Sequence, residues 1–499
     1  YGEWLESCLG QGQVLSFDSR LVSLATAHTL EDRLEPKGVE VRPGPDLLKE
    51  IWSDRPELPA SPIYLHEDRY AGESAESKLQ RLRSALAERG AASKLATALD
   101  EVAWLLNLRG SDVRYNPVFL SYLMISPDNV DLFVDESKLS GEASAHLERL
   151  DVRTRRYSEA EVAFEELSPQ CTVLVDPARL STMLAASLPE GVGRVRALSP
   201  ITEMKAIKSE AQIRGIESAM RRDGAALANF FRRLEAEVEA GNGPSEIEAG
   251  ELLREYRAAG ELFVSESFNT IAGYGANGAI VHYSPPREGS ARIGSDNLLL
   301  LDSGGQYLDG TTDITRTTVF GPPSDQQRRD FTLVLKGHIA LADTPFPKGT
   351  TGHQLDTVAR QFLWRELANY GHGTGHGVGY FLNVHEGPQR INQKPQGVAL
   401  EAGMLVSNEP GIYRPGEYGI RIENLVLVVE AGNRGFEDFL RFETKTLFPI
   451  ERALIDVSLL GNEEIEWINS YHRRVFGELS GLLDLEGRRW LEAKTAPLR

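Results

Sequence analysis

NLLLLDSGGQYLDGTTDITRTT, residues 297–318, decides how the chain is read. Four leucines, Leu298 to Leu301, form an apolar run that delivers Asp302. Ser303-Gly304-Gly305 turns the chain, a second short strand runs to Asp309, and Gly310 turns it again. Asp313 then opens a third β-rich run over residues 314–319. Gly and Asp punctuation between β-branched runs predicts a meander. Asp309, beside Gly310, reads as a turn former. Asp302 closes a run that should be buried, and a buried carboxylate needs a partner or a metal.

Candidate partners lie downstream. Residues 371–379, GHGTGHGVG, carry Gly at every odd position. Each Gly inside a helix costs about 1 kcal/mol, so His372 and His376 are not expected to form a helical zinc motif. An extended path puts His372, Thr374 and His376 on one face, with glycines opposite where backbone or substrate approaches closely. His385 follows, with Glu386-Gly387-Pro388 after it. Residues 406–411, VSNEPG, read as a strand ending in Glu409 at a Pro-Gly turn. In residues 419–427, GIRIENLVL, Glu423 interrupts an apolar strand, which is costly unless the carboxylate is paired. Arg421 is one candidate partner, but a single arginine does not account for Asp302, Asp313 and Glu409 as well. Two Asp, one His and two Glu at the ends or centres of β-runs fit a pair of divalent ions. Two dications balance four carboxylates, which allows such a cluster to be buried.

The chain has 499 residues, 41% hydrophobic and 25% charged, as expected of a soluble globular protein with two or three domains. Its net charge of −19 argues against nucleic acid or an anionic membrane as main partner. Cys8 and Cys171 are far apart and in no metal-like spacing, which suits a reducing compartment. No run reaches transmembrane length and no signal-peptide pattern opens the sequence. Residues 1–55 read as the end of a domain, and the Pro-rich stretch RPELPASP, residues 55–62, as a linker. Residues 56–205 alternate helices (77–89) and strands (119–126, 130–134, 172–175), predicting an α/β domain. Its one polar cluster of interest, Asn107 to Asp112, reads as a loop with a surface salt bridge. A long helix is predicted over residues 207–239, with Ser209 and Gln212 as a capping box, and a second over 245–257. Residues 206–499 form the last domain: β-runs, a helix pair near 331–342 and 354–368, and a C-terminal helical extension. In that extension Trp467 and Trp490 lie on apolar faces, for core packing or a subunit contact.

On these residues the chain resembles the pita-bread metallopeptidases, and within them the cytosolic-type, three-domain Xaa-Pro aminopeptidases. The matching stretches are His282-Tyr283, LDSGGQYLDGTTDITRT, GHGTGHGVGYFLNVHEGP, SNEPGIY and YGIRIENLVLV, with LNLRGSDV and NPVF in the middle domain. The resemblance implies creatinase-like α/β domains before a pita-bread α+β catalytic domain. Members of this subgroup carry a full N-terminal domain, of which only the last portion is expected in residues 1–55. Asp313 and Glu423 would bridge two metals, Asp302 would complete one, and His376 and Glu409 the other. The ions would be manganese, with zinc or cobalt as alternatives. A hydroxide between them would be the nucleophile, and Glu409 would carry its proton to the leaving nitrogen. His282, His372 and His385 would be substrate-side groups, with Arg421 beside them. A cytoplasmic homodimer acting on peptides with proline second is the further implication. Rivals are a prolidase cutting Xaa-Pro dipeptides, a methionine aminopeptidase, and a metal-free binding module. All five ligand positions and three accessory histidines are present, which favours the enzyme.

Overall fold

The computed structural model describes residues 1–395 and 397–499. The chain divides into two compact units. One comprises Tyr1–Asp68, Glu73–Val113 and Val118–Met204; the other comprises Arg69–Gly72, Arg114–Pro117 and Lys205–Arg499.

The first unit is α/β. Its six-stranded sheet runs Gly193–Arg196, Thr172–Val175, Ser93–Ala96, Tyr122–Ile125, Val130–Val134, Val152–Arg156. Only Tyr122–Ile125 is antiparallel to its neighbours. Leu95, Met124, Phe133, Val173 and Val175 are buried in its core, as helix-covered strands require. The strand expected over residues 119–126 is shorter because Phe119 and Ser121 are buried in irregular backbone. Val14–Asp18 and Glu40–Gly44 pair in parallel beside the helix Leu24–Leu34. Residues 55–62 hold no regular element.

The Asn107 to Asp112 cluster departs from its expectation. It is not a surface loop: Asn107 and Arg109 are buried, and Asp112 pairs with Lys138 with both side chains out of solvent. Asn107 accepts from the buried Lys78 Nζ at 2.5 Å, a node of polar groups that satisfy one another.

The second unit opens with the helix Glu210–Glu239, whose Ser209–Gln212 capping box is formed. Ile216, Met220, Leu227, Phe231 and Leu234 face its core at the spacing of a helical stripe. Glu246–Ala258 follows, capped by Ser245. Leu298–Ser303 is the central strand of a three-stranded sheet, antiparallel to both Ile271–Tyr274 and Ile314–Val319, with all six of its residues buried. A second sheet orders Phe346–Pro347, Asp438–Thr444, Asn424–Asn433 and Leu405–Asn408. Gly411–Arg414 and Tyr418–Arg421 form a hairpin. Helices Asp325–Asp343 and Gly352–Trp364 bury Phe331, Val334, Leu335 and Leu363 in the same core. Trp467 and Trp490, in Asn462–Leu479 and Leu485–Lys494, pack against that core half-buried.

Candidate active site

Strand ends deliver four carboxylates to one place. Asp302, opposite Thr315 in the ladder, comes from the central strand. Asp313 precedes Ile314–Val319. Glu409 follows Leu405–Asn408, its amide donating to the Thr374 carbonyl at 2.8 Å. Glu423 lies between Tyr418–Arg421 and Asn424–Asn433, its amide on the Thr315 carbonyl at 3.1 Å. The fifth group, His376, sits in the two-residue strand Gly375–His376.

The ligand atoms fall into overlapping groups. Asp302, Asp313 and Glu423 offer ligand atoms within 4.8 Å of one another, and so do His376, Glu409 and Glu423, and Asp313, His376 and His385. Glu423 belongs to the first two. His376 Nε2 is 3.4 Å from Asp313 Oδ2 and 3.5 Å from Glu409 Oε1.

The donor chemistry fits cations. His376 Nδ1 lies 3.0 Å from the Gly377 carbonyl, which only accepts, so Nδ1 carries the proton. In the neutral ring Nε2 then turns a lone pair towards two carboxylates, an arrangement that a positive ion between them makes favourable. Asp302 Oδ1 is buried with no hydrogen-bond partner, while Oδ2 accepts from Arg421 Nη2 at 2.5 Å. Burial, then the charges of Asp302 and Glu409, hold Asp313 well above the usual carboxylate range. Burial, then Asp313, Glu409 and Asp302, do the same to Glu423. Glu409 is also raised, by burial first. Together these residues fit two divalent ions, with Glu423 common to both positions.

With these acids raised, the metal-free folded chain binds more protons than the unfolded chain, so its stability falls as pH rises. The fall begins above the ordinary glutamate value of 4.5 and continues through the raised folded values. Thermal melting of chelated protein is expected at lower temperature near pH 8 than near pH 5, and divalent ions should narrow the difference. A melting temperature of the chelated protein that rises over this range would contradict the assignment.

A cavity of about 670 Å³ opens over the cluster. It is lined by all five candidate ligands, by His282, His372 and His385, and by apolar Phe268, Ile271 and Val281. His385 stacks edge-on against His376, with ring centroids 4.0 Å apart. Desolvation in the cavity, then the neighbouring His376, pushes it down to about 3, which favours the neutral ring although His385 keeps an exposed edge. Its loop is anchored by the Glu386 amide on the Gly377 carbonyl at 2.7 Å and by Lys205 Nζ, 2.9 Å from the buried Glu386 carboxylate.

His372 lines the same cavity with both nitrogens engaged. Nδ1 donates to the Gly373 carbonyl at 2.8 Å, and Nε2 accepts from the Tyr413 hydroxyl at 2.7 Å. Burial first, then Arg421, holds it near 3. Arg421 is not paired with Glu423. Its buried guanidinium donates to Asp302, to Thr315 Oγ1 at 3.1 Å and to the Tyr413 hydroxyl at 2.7 Å. Thr315 Oγ1 in turn donates to Glu423 Oε2 at 2.7 Å. Asp309, expected as a turn former, also pairs with Arg222.

The extended face expected for His372, Thr374 and His376 holds only for the histidines. Thr374 is fully buried and donates to Asp356 Oδ1 at 2.6 Å, because the regular strand begins only at Gly375. The glycines do serve close approach. A Cβ on Gly375 would lie 2.0 Å from the Ser407 carbonyl oxygen, and one on Gly377 2.1 Å from that of Glu386.

Tyr413, Thr315, Ser407 and Arg316 were not singled out from sequence. Tyr413 lay within SNEPGIY, two residues beyond Gly411, which faces Arg421 in the hairpin; that diagonal puts it on the arginine's face. Arg316 is buried behind the cluster. It donates to the carbonyls of Thr315, Glu423, Phe448 and Pro449, to Asn424 Oδ1 and to the Tyr471 hydroxyl. Arg316→Met orphans these acceptors and should destabilise the fold by about 3–5 kcal/mol. An unchanged melting temperature would show that water replaces the guanidinium.

Residues 214–430 match metallopeptidase family M24, residues 54–212 the creatinase/prolidase N-terminal domain, and residues 438–498 the C-terminal region of peptidase M24. A probable Xaa-Pro aminopeptidase P of Coprinopsis cinerea is 41% identical over 99% of this chain and 83% of its own. Aminopeptidase P2 of Arabidopsis thaliana is 40% identical, over 99% of this chain and 75% of its own. The crystal structure of an X-prolyl aminopeptidase from Caenorhabditis elegans, described as a cytosolic enzyme with a di-nuclear active site, superposes with a TM-score of 0.96. It is 35% identical and covers 100% of this chain and 83% of that one.

Proposed function

The chain belongs to metallopeptidase family M24, and from that premise we propose that it is a metal-dependent aminopeptidase removing the first residue of peptides with proline second. Its catalytic unit has the pita-bread fold, preceded by a creatinase-type α/β domain. The observation that carries the proposal is the sharing of Glu423 by two three-ligand groups at the floor of a peptide-sized cavity. The names of the relatives point to the same substrate class. Domain limits at residues 56 and 206 belong to the same proposal.

Asp302, Asp313 and Glu423 would hold one divalent ion, and His376, Glu409 and Glu423 the other, with Asp313 near enough to His376 to reach both. The chemistry such ions supply when bound is Lewis acidity and a water acidic enough to attack at neutral pH. Glu409 Oε1 accepts from Ser407 at 3.1 Å, which leaves Oε2 to take a proton from the attacking water and deliver it to the leaving nitrogen. His385, neutral, keeps one N–H to donate to the scissile carbonyl as charge develops on its oxygen. His282 stands on the leaving side. His372, with both nitrogens occupied, acts through Tyr413, holding that hydroxyl and Arg421 in place.

A bond before proline is a tertiary amide without N–H. Recognition must therefore come from shape, which Phe268, Ile271 and Val281 supply, and from the carbonyl, which the histidines reach. The oxygen-rich donor set suits manganese, with zinc or cobalt able to use the same positions. A cytoplasmic setting is supported by two free cysteines and by the description of the nematode enzyme. A homodimer is supported by Trp364 and Leu367, which stay 42% and 97% exposed on the catalytic unit.

The test is a comparison of an Xaa-Pro-Xaa tripeptide, an Xaa-Pro dipeptide and a Met-Ala-Xaa tripeptide in the presence of divalent metal. Cleavage of the first alone is expected. Preference for the dipeptide would make the protein a prolidase, and preference for Met-Ala would move it to the methionine branch. His385→Ala should lower kcat by about a hundredfold with little change in melting temperature. A large loss of stability with turnover retained would assign His385 to the fold instead.

A further inference from the structure

We infer that two arginines of the cavity wall, Arg114 and Arg390, bind a carboxylate on the leaving side of the substrate. The inference rests on the peptidase assignment and adds a preference to it. Both side chains line the cavity above the five candidate ligands. Arg390 stands directly opposite His376 in the antiparallel pair of Gly375–His376 with Arg390–Ile391. Opposed residues project to one face of a ladder, so the register sends Arg390 to the side where His376 meets the carboxylates.

Arg114 is placed by a different device. Tyr115, the next residue, has φ 70, a left-handed conformation that a non-glycine residue adopts at a cost. It is held there at both ends. Its hydroxyl donates to Asn269 Oδ1 at 3.1 Å, and its carbonyl accepts from Gln306 Nε2 at 3.1 Å. The Arg114 guanidinium rests over the Tyr115 ring, 4.6 Å from its centre. A strained residue pinned on two sides therefore presents this arginine to the cavity.

Neither arginine has an acid within ion-pair distance among the described residues, in a chain with 73 acidic and 54 basic side chains. Both are exposed, unlike Arg421, which is buried and committed to Asp302. The cavity is thus polar end to end. With two dications balancing the four carboxylates of its floor, the two arginines make the wall positive, which suits a negative group on the substrate. That negative group is either the C-terminal carboxylate of a short peptide or an acidic side chain following the proline.

The test uses the metal-loaded full chain and two matched pairs of substrates. Ala-Pro-Ala is compared with its C-terminal amide, and Ala-Pro-Asp-Ala amide with Ala-Pro-Asn-Ala amide. We expect the charged member of at least one pair to be favoured in kcat/KM by about fivefold, as partly exposed ion pairs allow. The preference should shrink in 0.5 M salt, on the order of the screening expected there. It should fall towards one in Arg114→Ala and Arg390→Ala, and invert in the double Arg114→Glu, Arg390→Glu variant. Preference in the first pair identifies the chain terminus, and in the second an acidic side chain. Equal rates within both pairs for the wild-type protein, with all four peptides cleaved, would overturn the inference and leave the peptidase assignment standing. Failure to cleave any of them would bring both down. The salt dependence of the wild type decides the matter even if the charge-reversal variant does not fold.

Discussion

Glu423→Ala is expected to abolish turnover and to take bound metal from two ions per chain to one or fewer. Glu423 is common to the two ligand groups assigned to the ions, so its loss removes a donor from each position at once. The carboxylate is also fixed in place. Its amide is tied to the Thr315 carbonyl, its Oε2 accepts from Thr315 Oγ1 at 2.7 Å, and its own carbonyl is held by Arg316. A Lewis-acid contribution of several kcal/mol corresponds to at least about a thousandfold in rate. Metal content should be measured alongside activity, because the two must fall together. Removing Glu423 also relieves repulsion among buried acids, so the metal-free variant should melt no lower than the metal-free parent. Full activity with two ions bound would reassign the bridging position.

Glu409→Ala carries the second large effect, on chemistry more than on assembly. Glu409 belongs to one ligand group only, and its Oε2 is uncommitted apart from His372 at 4.0 Å. As ligand and proton carrier it is expected to account for about 10²–10⁴ in kcat. The two roles separate in Glu409→Gln, which keeps an oxygen for metal but cannot shuttle a proton. That variant should retain more metal than the alanine and remain as slow. The fold should survive both changes, since the backbone bond of residue 409 to the Thr374 carbonyl needs no side chain. Near-normal turnover in Glu409→Gln would remove it as the proton carrier.

The acids of the cluster were legible because each breaks a pattern. Asp302 ends a run of four leucines and Glu423 interrupts a strand that is otherwise apolar, and such exceptions demand a partner. Glycine density marked the segment of His372 and His376, and the close approach to Ser407 and Glu386 explains it. The partners themselves were not legible. Arg421 was weighed against Glu423, two residues away, whereas it pairs with Asp302 from a different strand 119 residues earlier. Proximity in sequence favoured the wrong acid because local spacing carries no information about which strand ends converge. Thr374 shared the period of the histidines but turned inward, since a two-residue strand does not sustain alternation. The polar run at Asn107 to Asp112 has the composition of a surface loop, and its burial depends on Lys78 and Lys138 from distant elements. The long helices were the most legible elements: the capping box at Ser209 marks the first start in sequence and structure alike, and the structure adds a second box at Ser245.

The most direct test of the central claim is release of the first amino acid from an Xaa-Pro-Xaa tripeptide, followed as protein stripped by a chelator is titrated with manganese. Activity is expected to be absent in the stripped protein and to return with the binding of two ions per chain, reaching its plateau as the second position fills. Undiminished cleavage by protein shown to be free of metal would contradict the account, and so would binding of two ions with no cleavage.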